Sequence, residues 1–183
     1  MNCKIRAVFD ASTIRVYQAF NNDIADEAVA LCTFGKSFQL NRMTWIKPSF
    51  LWMMYRSGWA AKENQTRILA IDMKREGFDF IVSNAVLSHF SDTLYESREM
   101  WEKLLQKSEI RCQWDPDRDI YGHPQEQRAI QLGIKGRTVK RYINEWIVRI
   151  TDITPFVLET KQAIINRSFS QNMLPNETEY PYQ

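Results

Sequence analysis

The sequence predicts one domain of the α+β class, and three observations lead to this prediction. Short stretches in which polar and apolar residues alternate, as in half-buried strands, lie between stretches with helical periodicity. Their order does not alternate strictly between strand and helix, as it does in a doubly wound sheet. The chain has 183 residues, of which 44% are hydrophobic, and this suits a single domain with its own core.

The N-terminal elements are predicted to be two strands and a helix. Residues 4–9 and 13–20 alternate polar and apolar side chains, and the short segment 10–12 between them is typical of a turn. The polar residues 21–23 can cap the start of a helix over 24–32, whose apolar positions follow the helical period.

The two faces of the second strand carry different side chains. Alternation puts Ile14, Val16 and Gln18 on one face of the strand. Arg15 and Tyr17 fall on the opposite face.

The central part is predicted to be a loop, a short strand and an aromatic helix. Residues 33–42 are polar and form the loop, and 43–47 are extended. Pro48 disfavours a helix before it and suits the start of one after it. The following helix covers 49–57 and ends at Gly58.

The remaining chain is predicted to contain four strands, four helices and a polar tail. The strands are predicted at 65–74, 109–114, 128–134 and 145–150, and the helices at 75–89, 94–106, 138–143 and, in part, 153–165. Asp115-Pro116-Asp117 is typical of a turn. The α+β domain is predicted to cover residues 1–165, and 166–183 is predicted to be a loosely ordered tail.

Composition excludes several classes of protein. The three cysteines are far apart in sequence and the two histidines are isolated, so a disulfide framework, a metal site and a Ser-His-Asp triad are not predicted. The N-terminus has no apolar signal core, and no apolar stretch approaches the ~20 residues of a membrane span. We therefore expect a cytoplasmic protein with no membrane partner. The net charge of +2 does not by itself indicate nucleic-acid binding.

The segment 43–59 is the first candidate site, because it combines indoles with cations. Trp52 and Arg56 share a helix face, and Trp45 and Lys47 share one side of the preceding strand. Cations bind phosphates, and indoles stack on planar bases. The segment therefore predicts the wall of a pocket for a phosphorylated ligand with a ring. The alternative is a core helix whose large side chains simply pack together.

Carboxylates form the second group of candidates. Glu145 opens the predicted strand 145–150, and rigid strand ends are where enzymes hold acids and bases. The alternative is an exposed first residue without a role. Asp72 interrupts an apolar strand and is predicted to be partly buried. Asp115, Asp117 and Asp119 lack the glycine and the distant glutamate of a calcium loop, so they do not predict a metal site.

Nearly the whole chain, residues 5–160, resembles a family of uncharacterised bacterial and fungal proteins that is described only as a domain of unknown function. The strings that carry this resemblance are Ile-Arg-Ala-Val-Phe-Asp at 5–10, Thr-Ile-Arg-Val-Tyr-Gln-Ala-Phe at 13–20, the aromatic segment at 43–59, Gln-Trp-Asp-Pro-Asp-Arg-Asp at 113–119 and Glu-Trp-Ile-Val-Arg-Ile-Thr-Asp at 145–152. This family description implies no activity.

A second resemblance does imply an activity. The segment from Asn144 to Pro155 is similar to the catalytic-glutamate strand of ADP-ribosyltransferases, and residues 16–20 are similar to their first core strand. This resemblance implies a split β-sheet core with flanking helices and NAD as the cofactor. Glu145 would then be the catalytic carboxylate, stabilising the positive charge that develops when the nicotinamide–ribose bond breaks. Gln18 stands where these enzymes usually have Arg or His.

The same resemblance implies which residues bind NAD and what the acceptor is. Nicotinamide is expected near residues 16–18 and the aromatic segment. The acceptor is expected to be a nucleic acid or a nucleotide. The residues expected to bind NAD are Arg15, Tyr17, Gln18, Trp45, Lys47, Ser49, Trp52 and Arg56.

Two other functions remain compatible with the sequence. In the first, Trp45, Trp52 and Trp59 form a stacking platform for single-stranded nucleic acid, which needs no catalytic carboxylate. In the second, the aromatic side chains are only core, and the domain is a scaffold that binds a partner protein.

Overall fold

The computed structural model describes residues 3–182, and within them the fold is α+β, with six α-helices and three sheets. The strands are β1 (Arg6–Ala7), β2 (Thr13–Phe20), β3 (Thr44–Ile46), β4 (Arg67–Lys74), β5 (Val86–Leu87), β6 (Ile110–Arg118), β7 (Pro124–Ile134), β8 (Ile147–Asp152) and β9 (Thr178–Glu179). The helices are α1 (Asn22–Leu31), α2 (Phe50–Ser57), α3 (Arg75–Ser83), α4 (Arg98–Lys107), α5 (Gly136–Arg141) and α6 (Thr154–Ile165). Residues 1, 2 and 183 of the predicted domain and tail lie outside the described residues.

The first main sheet has the strand order β2-β4-β8, and its neighbouring strands are antiparallel. β4 is the central strand, and six consecutive residues of it are buried, because both its faces are covered. Ile14 and Val16 of β2 lie in the larger core cluster, whereas Tyr17 lies in a second cluster on the opposite face. The predicted alternation of β2 is therefore confirmed.

The second main sheet has the order β3-β7-β6-β5, and most of it is a long antiparallel hairpin of β6 and β7. It meets the first sheet at one point. There the backbone N–H of Tyr17 donates to the carbonyl of Lys47 at 2.7 Å, and the N–H of Lys47 donates to the carbonyl of Tyr17 at 3.3 Å. The backbones of the two sheets thus pair through Tyr17 and Lys47, the side chains of Gln18 and Thr44 add a hydrogen bond, and a space remains beside this junction.

Helix α2 begins and ends as the sequence predicts. The Ser49 side chain accepts a hydrogen bond from the backbone N–H of Trp52, which is the N-cap geometry. Gly58 takes a left-handed conformation with φ of 62°, and its N–H binds carbonyls of the last turn. These two caps fix which side chains of the short helix face the sheet junction.

The prediction of a turn at 115–117 is wrong, because these residues belong to β6. Pairing with the length of β7 outweighs the local preference of Asp-Pro-Asp for a turn. Pro116 is tolerated because the register shifts between Pro116 and Arg118, and prolines in sheets lie at such irregularities. The predicted helix 75–89 is also too long, since α3 ends at Ser83 and β5 follows.

The prediction that Glu145 opens a strand is also wrong. Residues Tyr142–Trp146 form a π-helical turn, and β8 begins only at Ile147. Tyr142 and Trp146 are four residues apart and both are buried, so a helical turn brings their two rings to the core. Trp146 packs so closely on Gly77 that a Cβ there would lie 2.4 Å from the indole.

The segment after Asn166, predicted to be loose, is attached to the domain. Its strand β9 pairs with β1 in antiparallel orientation. Tyr180 is only 3% exposed and packs edge-on against Phe9 and Phe78. The prediction failed because this attachment depends on contacts with residues more than a hundred positions earlier, which local polarity does not reveal.

No helix among the described residues is long and apolar enough to cross a membrane.

Candidate functional site

A cavity of about 950 Å³ lies beside the junction of the two main sheets. Its walls come from the end of β2, from β3 and the segment before it, from α2, and from the middle of the β6–β7 hairpin. The charged side chains that line it are three cations, Arg42, Lys47 and Arg56, and one carboxylate, Asp115. The cavity is therefore polar and has an excess of positive charge.

Lys47 is the most deeply buried of these cations, with the residue only 6% exposed. Both backbone hydrogen-bonding groups of Lys47 are fixed by the pairing with Tyr17. Its side-chain nitrogen Nζ donates one long hydrogen bond, 3.3 Å, to the carbonyl of Trp45. Within residues 3–182 it forms no ion pair. An ammonium group in this position has lost its water and gained almost no partner.

The pKa of Lys47 is lowered to about 7 by this environment. Desolvation is the largest cause, because burial disfavours the charged form of an amine. Arg56 adds repulsion and lowers the pKa further, while Asp115 acts in the opposite direction. Close to neutral pH the amine is therefore present in both its charged and its neutral form.

Asp115 faces the same cavity and is held in place by two amides. The Nε2 of Gln113 donates to its Oδ1 at 2.8 Å, and the Nε2 of Gln131 donates to its Oδ2 at 2.7 Å. Gln113 and Gln131 are directly opposite each other in the register of β6 and β7. Because the amides come from two paired strands, the carboxylate has a fixed orientation and still has lone pairs that face the cavity.

Gln18 lies on the opposite wall, and two hydrogen bonds orient it as well. Its Nε2 donates to Oγ1 of Thr44 at 2.7 Å, and its Oε1 accepts from the hydroxyl of Tyr142 at 3.0 Å. Gln18 keeps one free N–H and one lone pair for a further polar partner.

Trp52 contributes an indole N–H that has no acceptor. The residue lines the cavity and is 6% exposed, and its Nε1 is buried without a hydrogen-bond partner in the described part of the chain. Buried indole N–H groups usually have a partner. The indole stacks on Tyr55, and the guanidinium of Arg118 lies 4.0 Å from the Tyr55 ring centre and 5.5 Å from the Trp52 ring centre. Trp52 is therefore rigidly placed, with one donor left over.

Five of the eight residues expected to bind a cofactor line this cavity. They are Gln18, Trp45, Lys47, Trp52 and Arg56.

The other three expected residues have different surroundings. Tyr17 points away from Gln18 because neighbouring strand residues alternate, and its ring packs on Phe50. Arg15 points the same way as Tyr17 and binds Asp72. Ser49 caps α2 and donates to Asp117 at 2.9 Å. Their side chains do not line the cavity.

Asp72 is the centre of a second charged group, on the Tyr17 face of the β2-β4-β8 sheet. Arg15 donates to its two oxygens at 2.7 and 3.1 Å, and Arg149 donates to Oδ2 at 2.7 and 3.0 Å. Burial alone would raise the pKa of Asp72, but the two guanidinium groups outweigh it and lower this pKa. The buried carboxylate predicted at this position is thus fully paired.

Glu145 does not line the cavity. Its carboxylate accepts a hydrogen bond from Nε of Arg141 at 3.1 Å, and its side chain is 52% exposed. Arg141 also lies over the rings of Phe80 and Trp146. The carboxylate that the structure brings to the predicted pocket wall is Asp115, in place of Glu145.

The three tryptophans of the proposed stacking platform do not share one surface. Trp45 and Trp52 line the cavity, and Trp52 is buried. Trp59 packs in the second core cluster, where its ring meets Phe50 edge-on. A flat exposed row of indoles is therefore not formed by these residues.

Two further carboxyl groups are partly buried beside the start of α2. Glu177 accepts from the backbone N–H of Phe50 at 2.6 Å, and Asp117 accepts from Ser49. Burial is the main cause that raises the pKa of both, to about 8 for Glu177. The charge of Asp117 adds to the upward shift of the pKa of Glu177.

Gln113, Asp115 and Gln131 are the functional candidates that sequence reasoning missed as a group. Gln113 and Asp115 are two residues apart, so in a strand they share a face. This signal was hidden because Asp115-Pro116-Asp117 was interpreted as a turn. The position of Gln131 opposite them follows only from the hairpin register.

Comparison with known families agrees with the first resemblance. The chain belongs to the family described as "Domain of unknown function (DUF4291)", whose model matches residues 4–180. No curated protein matches the chain. The matched region includes every strand from β1 to β9, so the cavity and the attached C-terminal segment are both parts of the family's domain.

Proposed function

We propose that this protein binds NAD in the cavity beside the sheet junction and transfers its ADP-ribosyl group to an acceptor. The observation that carries the proposal is the set of side chains around one cavity: an unpartnered indole N–H, an excess of cations and one oriented carboxylate. The separation of the strands into two main sheets, whose backbones pair through Tyr17 and Lys47, also agrees with the split core that the ADP-ribosyltransferase resemblance implies.

The lining fits a phosphorylated ligand with planar rings. Arg42, Lys47 and Arg56 provide positive charge for a pyrophosphate, and the unpartnered Nε1 of Trp52 offers a donor to a phosphate or ribose oxygen. Trp45 supplies an aromatic surface for a base. A volume of about 950 Å³ lies within the range of cofactor sites.

Asp115 and Gln18 then have defined roles at the reacting end. NAD supplies a ribose whose bond to nicotinamide can break, leaving positive charge on the sugar. A carboxylate fixed by Gln113 and Gln131 stabilises that charge without having to reorganise. Gln18 retains a donor and an acceptor for an amide or a hydroxyl. Asp115 is thus proposed for the catalytic role that the sequence led us to expect of Glu145. The role of Glu145 stays a prediction until variants of the two residues are compared.

The acceptor in this proposal is a nucleotide or a nucleic acid, because a positively charged rim around the site attracts phosphates. A non-catalytic platform for single-stranded nucleic acid has less support, since Trp52 is buried and Trp59 packs in the core.

The test measures NAD binding by calorimetry and nicotinamide release by chromatography for wild type and two variants. Asp115→Asn keeps the size of the side chain and removes its charge, so we expect nearly unchanged binding and a loss of turnover of about 100-fold or more. Glu145→Gln is the matched control, and we expect it to behave as wild type.

Two results would contradict the proposal. If the wild-type protein neither binds NAD nor releases nicotinamide, NAD is not its ligand. If Glu145→Gln loses turnover while Asp115→Asn retains it, NAD chemistry stands but the assignment of the carboxylate is wrong.

A further inference from the structure

Lys47 is not explained by phosphate binding alone. A phosphate-binding lysine is usually a charged group on a flexible stem. Lys47 instead lies in a buried position, and its backbone is fixed on both sides by Tyr17. Its amine has one weak acceptor, the Trp45 carbonyl at 3.3 Å. This geometry suits a neutral amine better than a permanent ammonium group.

The nearest charges around Lys47 act in opposite directions, since Arg56 lowers the pKa of its amine and Asp115 raises it. Arg56 from α2 and Arg42 from the segment before β3 line the same cavity, which gives it an excess of positive charge. Among the described residues Asp115 from β6 is the only carboxylate in the lining, and it is already held by Gln113 and Gln131. Tyr55 is the remaining titratable group in the lining.

We propose that the side-chain amine of Lys47 is the proton acceptor of the reaction in this cavity, and that the acceptor substrate attacks through a hydroxyl or amino group. This inference rests on the proposed function. A carboxylate acceptor has no proton to lose and needs no base, whereas a hydroxyl or an amine does.

The proton and electrons balance in this scheme. The attacking oxygen or nitrogen forms a bond to the ribose carbon and gives its proton to the Lys47 amine, which becomes an ammonium group. The ribose–nicotinamide bond breaks, and its electron pair leaves with nicotinamide. The ammonium group then returns its proton to solvent, which the repulsion from Arg56 favours. Asp115 stabilises the positive charge on the sugar, and Lys47 accepts the proton of the attacking group.

The first measurement needs no NAD. Lysines are labelled by reductive methylation with ¹³C-formaldehyde, and the methyl signals are titrated by NMR, with Lys47→Arg and Lys103→Met used to assign two of them. We expect the Lys47 signal to titrate near pH 7, about 3 pH units below the ~10.4 of a lysine amine in water. Titration at the value of a lysine in water would overturn the inference, whatever the protein does with NAD.

The second measurement separates proton transfer from binding. Lys47→Arg keeps the positive charge but cannot accept a proton at neutral pH. We expect NAD to bind this variant within a few-fold of wild type, while turnover falls by about 100-fold or more and the rise of turnover through neutral pH disappears. Lys103→Met should leave both quantities unchanged.

Three outcomes remain distinguishable. If Lys47→Arg turns over at the wild-type rate, Lys47 is only a phosphate ligand and the inference is wrong. If Lys47→Arg loses binding and turnover in equal measure, the inference is also wrong. An inert wild-type protein whose Lys47 still titrates near neutrality would remove the NAD function, and with it the role of proton acceptor.

Discussion

Two buried charged groups that lie beside β2, Asp72 and Lys47, contrast with each other. Asp72 accepts four hydrogen bonds from Arg15 and Arg149, so its charge is neutralised where it lies. Lys47 is equally buried, yet it has one long bond to a carbonyl and a cationic neighbour in Arg56. The pKa of Asp72 is lowered, which keeps its carboxylate charged. The pKa of Lys47 is also lowered, which favours the neutral form of its amine.

The difference shows what each group contributes. A buried charge with complete hydrogen bonding holds the fold together, and removing one member leaves the others unpaired. A buried cation without a partner contributes nothing favourable to stability, and its position facing a cavity indicates a role in binding or chemistry. Stability measurements can therefore distinguish the two groups before any ligand is known.

The largest effect is expected from removing the paired carboxylate. Asp72→Ala leaves Arg15 and Arg149 without their common partner, so the free energy of unfolding should fall by about 3 kcal/mol. Urea denaturation followed by fluorescence measures it. Asp26→Ala is the matched control, because Asp26 is exposed and shares Arg67 with Asp152. Equal losses of unfolding free energy in the two variants would mean that the buried, doubly paired Asp72 stabilises the fold no more than an exposed carboxylate does.

Glu177 is predicted to change stability with pH. Its pKa is about 8 in the folded protein and about 4.3 in an unfolded chain, so between these values only the folded state holds the proton. Stability from this group is therefore lost as the pH rises from about 4 to 8. Glu177→Gln cannot titrate, and its unfolding free energy relative to wild type should rise over that interval, by at most about 5 kcal/mol at about 1.4 kcal/mol per pKa unit. A constant difference between the two proteins would contradict the burial of this carboxyl.

Lys47→Met is expected to leave the fold intact or to strengthen it. Methionine fills a similar volume without a charge, so unfolding at pH 7 should require the same free energy or about 1 kcal/mol more. The folded pKa lies below the unfolded one, so wild type loses stability as the pH falls through this interval. The advantage of the variant should therefore shrink as the pH rises towards 10. A loss of unfolding free energy as large as that of Asp72→Ala would mean that Lys47 stabilises the fold, as Asp72 does.

The smallest effect is expected at Glu145. Glu145 and Arg141 are four residues apart and form an exposed ion pair. Such surface pairs contribute less than about 1 kcal/mol to stability. Glu145→Gln should change the unfolding free energy by no more than about 0.5 kcal/mol. The same denaturation experiment checks this, and a large loss would mean that the π-helical turn depends on the pair.

Local patterns predicted much of the fold. The strand 13–20, the end of α2 at Gly58, and the faces of β2 are all confirmed, because each depends on neighbours within a few residues. The turn at 115–117 and the loose tail failed, because β7 and β1 supply their partners from elsewhere in the chain.

The candidate site was predicted in part for the same reason. The spacing in 43–59 brought Trp45, Lys47, Trp52 and Arg56 into one wall. The opposite wall could not be predicted from spacing, since Asp115 and Gln131 meet only through the register of a long hairpin. Glu145 was singled out as a strand opening, and the turn that brings Tyr142 and Trp146 into the core leaves it in solvent.

One measurement tests the contrast between the cavity and the Asp72 group most directly. In a ¹H–¹⁵N spectrum the indole Nε1–H of Trp52 and the Nε–H groups of Arg15 and Arg149 give separate signals, which Trp52→Phe and Arg→Lys variants assign. On addition of NAD we expect the Trp52 signal to shift as its N–H gains an acceptor, while the two arginine signals stay in place. An unmoved Trp52 signal at saturating NAD, or shifts confined to the two arginines, would contradict the assignment of the cavity as the binding site.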